Sequence, residues 1–214
     1  MAEGVAVDWA AFAESHSELA HIPVALRDAA RLREFAAGET LFRQGERPKA
    51  MLYVLDGEVR LLRRSRGGAE VVLQRSRGGF FAEASLEAKA YHCDAVAAAA
   101  SRLLVFPIRA FREALDHDAA FRNAWMALLA REVRKLRARC ERLSLHSAAE
   151  RILHAIESEG TAGTLTLMQS RKAWAADLGL THEALYRALA RLQAEGTLAL
   201  DGGCLTLRQP GKRL

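Results

Sequence analysis

Met126, Leu129, Val133, Leu136, Cys140 and Leu143 recur at alternating steps of three and four along one stretch of this chain. That spacing is a heptad a/d seam on a long helix, and nothing else in the sequence constrains the fold so tightly. Arg131, Arg134, Arg137 and Arg139 crowd the rest of the same helix. Little apolar surface is left for the wider face with which a helix covers its own domain. The stripe therefore predicts a two-helix seam between two copies of the chain. Cys140 on that seam would face its counterpart, as a small packing residue before anything reactive. The seam helix is expected over 118–146. It divides the chain into a segment over 1–117 and another over 147–214.

The first segment changes period. "ETLFRQGERPKAMLYVLDGEVRLLRRSRGGAEVVLQRSRGGFF" alternates short apolar runs with Gly45, Gly57, Gly67-Gly68 and Gly78-Gly79. Such punctuated strands indicate an antiparallel sandwich, roll or barrel. Within it "LYVLDGEVRLL" predicts a β-hairpin closed by Asp56-Gly57. A helical stretch precedes the strands, with Trp9, Phe12, Leu19 and Ile22 as packing residues. The fold class is thus α+β.

The last segment opens on "SAAE", a capping box in which Ser147 caps a new helix and Glu150 reaches back. A joint is expected near His146 and Ser147, through which the seam helix would couple to this last segment. Gly160 closes the new helix, and "TLTLMQ" reads as a short strand. "SRKAWAADLGL" is a helix capped by Ser170, with Trp174 and Leu178 facing inward. Gly179-Leu180-Thr181 turns the chain, and Thr181 caps the next helix. "TLALDGGCLTLRQ" then alternates on both sides of Asp201-Gly202-Gly203, as a hairpin does. Helix, tight turn, helix and hairpin make a winged helix-turn-helix.

In such a unit the second helix places its leading end in the DNA major groove. Leu185, Ala188, Leu189 and Leu192 form its apolar stripe, and His182, Glu183, Tyr186 and Arg187 stand at its exposed start. Arg187 can donate twice to guanine O6 and N7, and Glu183 can accept from cytosine N4. The blander alternative is an intrahelical Glu183–Arg187 pair on a solvated face. The two are compatible, since such a pair would preorganise the arginine. Ser170 and Arg171 are placed to touch phosphate. Two copies joined at the seam would read a two-fold symmetric site.

Composition sets the outer limits. Lys and Arg total 31 against 26 for Asp and Glu, a net charge of +5 and a pI near 9.4. This mild excess suits an anionic partner without requiring one. No apolar run is long enough to span a bilayer, and "MAEGVAVDWAAF" lacks the pattern of a signal peptide. Cys93, Cys140 and Cys204 are scattered, with neither disulfide nor zinc spacing. A reducing cytoplasm is the expected compartment. A cupin-type metalloenzyme would carry a His-x-His pair; the chain has none, and His92 is the one histidine in the strand region. No enzyme is expected.

The order of parts resembles the CRP/FNR family of bacterial transcription regulators over nearly the whole chain. "FAAGETLFRQGE" and "LYVLDGEVRLL" are similar to the first strands of its cyclic-nucleotide-binding roll, a double-stranded β-helix. "GLTHEALYRALARLQAEG" is similar to its recognition helix, where a Glu is followed four residues later by an Arg, here Glu183 and Arg187. His182 falls where members differ, and Tyr186 occupies a variable, usually small position. The resemblance implies double-stranded DNA and a second copy as partners, with RNA polymerase and a small effector behind them, and no membrane.

The family's effector pattern is a Gly-Glu-Leu turn followed by Arg-Ser-Ala, whose arginine and serine hold the cyclic phosphate. This chain reads "FAEASLEAKAYHCDAVA". Glu83 is kept, Ala82 replaces the glycine, and Cys93 and Asp94 stand where the arginine and serine should be. Glu83, Ser85, Cys93 and Asp94 are the effector-pocket candidates. A carboxylate facing a phosphate repels it, and the missing arginine removes the fork that would offset desolvation. Binding of cAMP in the family's manner is not expected. Nor is an Fe–S cluster, because no cysteine precedes Cys93. Haem remains open through His92 or Cys93, although strand neighbours point to opposite faces. A thiol switch at Cys93 is open too, as is a ligand-binding module acting on protein partners, which would leave the winged helix unexplained.

Overall fold

The computed structural model describes residues 9–68 and 70–208. The first eight residues, where no signal peptide is expected, lie outside them, as does Gln209 at the end of the expected hairpin. The chain divides into two compact units, Met1–Ala127 and Leu128–Leu214. No described helix is long and apolar enough to cross a membrane.

In the first unit two short helices, α1 (Trp9–Ser15) and α2 (Val24–Ala29), lead into eight strands. These are β1 (Arg31–Phe35), β2 (Thr40–Phe42), β3 (Ala50–Asp56), β4 (Val59–Arg64), β5 (Glu70–Ser76), β6 (Gly79–Phe81), β7 (Asp94–Ala97) and β8 (Ser101–Pro107). They form two antiparallel four-stranded sheets, ordered β1-β8-β3-β6 and β2-β7-β4-β5. The inner faces meet in a core that includes Phe35, Phe42, Leu52, Val54, Leu61, Phe81, Cys93 and Leu103. This is the expected antiparallel β-roll.

The expected hairpin at Asp56-Gly57 does not form. β3 pairs with β6 and β8, whereas β4 pairs with β5 and β7, so the two runs lie in different sheets. Gly57, at φ +89°, turns the corner from one sheet to the other. A Cβ there would fall within contact distance of Ser101 Oγ and the Ala100 carbonyl oxygen. The glycine is required by the approach of the 100–101 backbone and not by a two-residue turn.

β3 is buried on both faces. Leu52 and Val54 point into the roll, while Tyr53 meets an aromatic cluster outside it. There the Phe80 ring packs edge-on to Tyr53 at 4.8 Å and to Trp125 at 5.2 Å, and Phe111 lies 4.9 Å from Trp125. Phe111 belongs to α3 (Ile108–His117) and Trp125 to the start of α4 (Ala119–Ser144). Of the N-terminal packing residues, Leu19 and Ile22 are buried; Trp9 and Phe12 are half-buried.

The second unit holds the rest of α4, then α5 (Ala148–Glu159), β9 (Thr164–Thr166), α6 (Arg171–Asp177), α7 (His182–Ala194), β10 (Leu198–Asp201) and β11 (Cys204–Leu207). The three strands make one antiparallel sheet, ordered β10-β11-β9. The capping box of α5 is complete: Ser147 Oγ accepts from the Glu150 amide at 3.1 Å, and Glu150 Oε2 accepts from the Ser147 amide at 3.0 Å. Ile152, Ile156, Trp174, Leu178, Leu185, Leu189 and Leu205 fill the core of this unit. The fold is α+β: an antiparallel roll, a long helix and a winged helix-turn-helix.

Candidate nucleic-acid interface

Helix α7 owes its start to Thr181, whose hydroxyl accepts from the Ala184 amide at 3.1 Å. Leu185, Ala188, Leu189 and Leu192 are buried against α5, α6 and β10, which fixes the helix about its axis. Periodicity then leaves His182, Glu183, Tyr186 and Arg187 on the outer side, all exposed or half-exposed. Tyr186 contacts one member of this group and one residue outside it. The His182 ring lies 4.5 Å from its ring, and the Arg171 guanidinium carbon sits 5.4 Å from the ring centroid. Arg171 opens α6, so the cation–π contact ties the leading ends of two helices. Ser170 caps α6 by accepting from the Ala173 amide at 3.2 Å, and its hydroxyl hydrogen stays available to an acceptor.

The intrahelical Glu183–Arg187 pair does not form. Among the described residues the two side chains are not within 4.0 Å. The Glu183 amide N–H and then the Thr181 hydroxyl hold the Glu183 carboxyl below the usual range, with smaller pulls from His182 and Arg187. Glu183 is consequently an anion at neutral pH, and Arg187 is in no ion pair among the described residues.

The four effector-pocket candidates lie along the 83–94 segment and are unequally accessible. Ser85 and Cys93 are buried, Glu83 is half-buried, and Asp94 Oδ1 accepts from the Gln44 amide at 2.7 Å. Asp94 thus pins the start of β7 to the loop after β2. Burial pushes the Cys93 thiol up; Asp94 and Glu83 push the same way against an opposite pull from Arg63. Cys93 is a protonated core thiol, with His92 exposed beside it. Ala82, in place of the family's glycine, takes a left-handed conformation at φ 61° and ψ 22°.

A model of the cyclic nucleotide-binding domain matches residues 32–118. The chain is 32% identical over 186 residues to the cyclic AMP receptor protein of Thermus thermophilus, covering 83% of each protein. The chain belongs to the CRP/FNR family of transcription regulators. The solved structure of DNR from Pseudomonas aeruginosa superposes with a TM-score of 0.52 at 25% identity, over 94% of both chains. The cAMP-dependent protein kinase regulatory subunit of Mycosarcoma maydis is 33% identical over 96 residues. That match covers 42% of this chain and 18% of the subunit.

For a CRP/FNR regulator, the residues that sequence reasoning missed are those tying the end of α4 to the helix-turn-helix. Arg151 Nε donates to the Leu145 carbonyl at 3.0 Å, and its Nη1 donates to the Gly179 carbonyl at 3.0 Å. One guanidinium so joins the end of the long helix to the turn between α6 and α7. Arg142, 2% exposed, pairs with Glu159 and donates to Ser158 Oγ at 3.1 Å. Glu141 lies 3.2 Å from His154 Nε2. An arginine in a charged helix gives no periodic signal, so pattern alone could not single out these two.

Proposed function

We propose that this protein is a homodimeric, sequence-specific DNA-binding regulator of transcription, acting by regulation and not by catalysis. The observation that carries the reading is Arg187, a guanidinium without an ion pair among the described residues, on the outer side of a capped helix whose other side is locked in a core. Arg187 and Glu183 would read base edges. Tyr186 would hold Arg171 and His182 toward the flanking phosphates, with Ser170 as a further phosphate contact. The dimer would form along the α4 stripe, where Met126, Val133, Leu136 and Leu143 are exposed in the single chain and Leu129 and Cys140 are accessible beside them. We assign the roll over 1–117, the dimer helix over 118–146 and the DNA-binding unit over 147–214.

The roll, in this reading, does not take cAMP in the family's manner. Asp94 and Cys93 replace the serine and arginine of the family's pattern; the Asp94 carboxylate is held by the Gln44 amide, and the buried Cys93 offers no positive charge. A thiol switch or a shared haem site at 92–93 is disfavoured by the same geometry: the thiol is protonated in the core and the imidazole is exposed. Replacing Arg187 by Ala should weaken binding to the cognate site by about 1–3 kcal/mol and relax the choice at one base pair. Selection of wild type and variant against a random duplex pool measures both. An unchanged consensus with uniformly weaker binding would make Arg187 a phosphate contact and overturn its role as reader.

A further inference from the structure

A cavity of about 590 Å³ opens in the roll between β1, β3 and β8 on one side and β2 with the loop after it on the other. None of Glu83, Ser85, Cys93 or Asp94 lines it. Its floor is apolar and rigid. Phe35, Phe42, Leu52 and Tyr91 are core residues, and the Phe42 and Tyr91 rings stack 3.6 Å apart to give a flat aromatic wall. The Tyr91 hydroxyl is engaged with the Ala50 carbonyl at 3.4 Å, so it is a fixed part of that wall.

The rim has the opposite character. Arg33, Arg47 and Lys49 all line the cavity and are exposed. Arg33 leans over Phe35 on the same face of β1, with its guanidinium carbon 4.9 Å from the ring centroid. Among the described residues none of the three is in an ion pair. The one acid on the rim, Glu46, has an oxygen held by the Arg43 amide at 3.1 Å, and three cations outnumber it. Three cations outside any ion pair among the described residues therefore rim an apolar basin of the size that takes small molecules.

We infer that this cavity is a binding site for an amphipathic organic anion, a small acid with a flat apolar body and one carboxylate or sulfonate, separate from the cyclic-nucleotide position. An inorganic anion would leave the apolar floor hydrated. A neutral apolar molecule would leave the cations unanswered and force them to stay hydrated at its edge. Only a ligand with both parts covers both surfaces, its body against Phe42 and Tyr91 and its charge at Arg33, Arg47 and Lys49. The site does not depend on the DNA-reading assignment.

The test uses the full chain and two fluorescent probes, the anionic anilinonaphthalene sulfonate and the neutral phenylnaphthylamine. The sulfonate should saturate at one per chain. The Arg47→Glu/Lys49→Glu variant, altered at exposed positions, should keep its Tm and bind the sulfonate about tenfold more weakly or worse, because like charges now face it. Its affinity for the neutral probe should not change. Ala50→Trp, which fills the floor, should remove both probes. Equal sulfonate affinity in wild type and the charge-reversed variant would overturn the proposal. So would full displacement of the probe by cAMP, or undiminished binding to a folded Ala50→Trp protein.

Discussion

Ala82 stands in a left-handed conformation that costs a residue with a Cβ about 1–2 kcal/mol. Its methyl is buried, which returns roughly 0.8 kcal/mol, and a glycine would add freedom to the unfolded chain at about 0.5–1 kcal/mol. These terms nearly cancel, so Ala82→Gly should leave stability within about 0.5 kcal/mol of wild type. Ala82→Val should cost about 2 kcal/mol, since a branched side chain both strains the bend and overpacks the site. Urea melts of the two variants check this; equal stability of the valine variant would mean that the bend relaxes. Glu58 titrates in the opposite direction to Cys93. Burial raises its carboxyl, but Arg60, Arg77 and Arg75 outweigh that and hold it below the usual range. Its Oε1 lies 2.8 Å from Arg60 Nε and 3.1 Å from Arg75 Nη1. A carboxyl lowered by folding stabilises the fold above its unfolded-state value, and loses that contribution as pH falls through its folded value. Glu58→Gln should therefore lower Tm at neutral pH, with the gap closing as the solution becomes acidic. A gap independent of pH would show that packing, and not charge, is what Glu58 supplies.

At the scale of elements, the helices of the second unit were legible because their ends carry their own instructions. Ser147, Ser170 and Thr181 each cap the helix that the sequence assigns to them. The corner at Gly57 was not legible, because alternation shows that two runs are strands and says nothing about which strands they pair with. "LYVLDGEVRLL" fits a hairpin and a sheet-to-sheet corner equally well. The joint between α4 and α5 carries more ties than its sequence suggests. Arg142 is buried with Glu159 as its partner, and separating the pair would strand a buried charge. Movement of the DNA-binding unit about that joint must therefore break Arg142 and Arg151 contacts together. The α4 stripe gives the clearest prediction at this scale. Val133 and Leu136 are 45% and 54% exposed in the single chain, a cost that a second copy would remove. Val133→Asp with Leu136→Asp should leave the roll and the winged helix folded and give a monomer in sedimentation. A dimer that survives both changes would mean that the interface lies elsewhere.

For the whole molecule, the two halves carry different degrees of specification. The exposed face of α7, proposed to read DNA, was legible as a face, since cap, stripe and exposed end are all local to that helix. Only the contact of Arg171 with Tyr186 needed the fold, because it joins residues of two helices. The roll was legible as architecture, and the cavity ringed by Arg33, Arg47 and Lys49 was not. Its walls come from strands far apart in sequence, and a cation beside an apolar strand has no pattern of its own. On the proposed reading, a ligand-free dimer that presents α7 to DNA would choose between sequences before any effector is added. Fluorescence anisotropy of the full chain reads that choice, titrated onto DNA from upstream of its own gene and onto a scrambled duplex, at low and at physiological salt. Binding to the upstream duplex should be tighter at both salts, with a gap that persists when the electrostatic share is screened. Equal affinity for the two duplexes, falling steeply and together with salt, would contradict a sequence-reading role for α7.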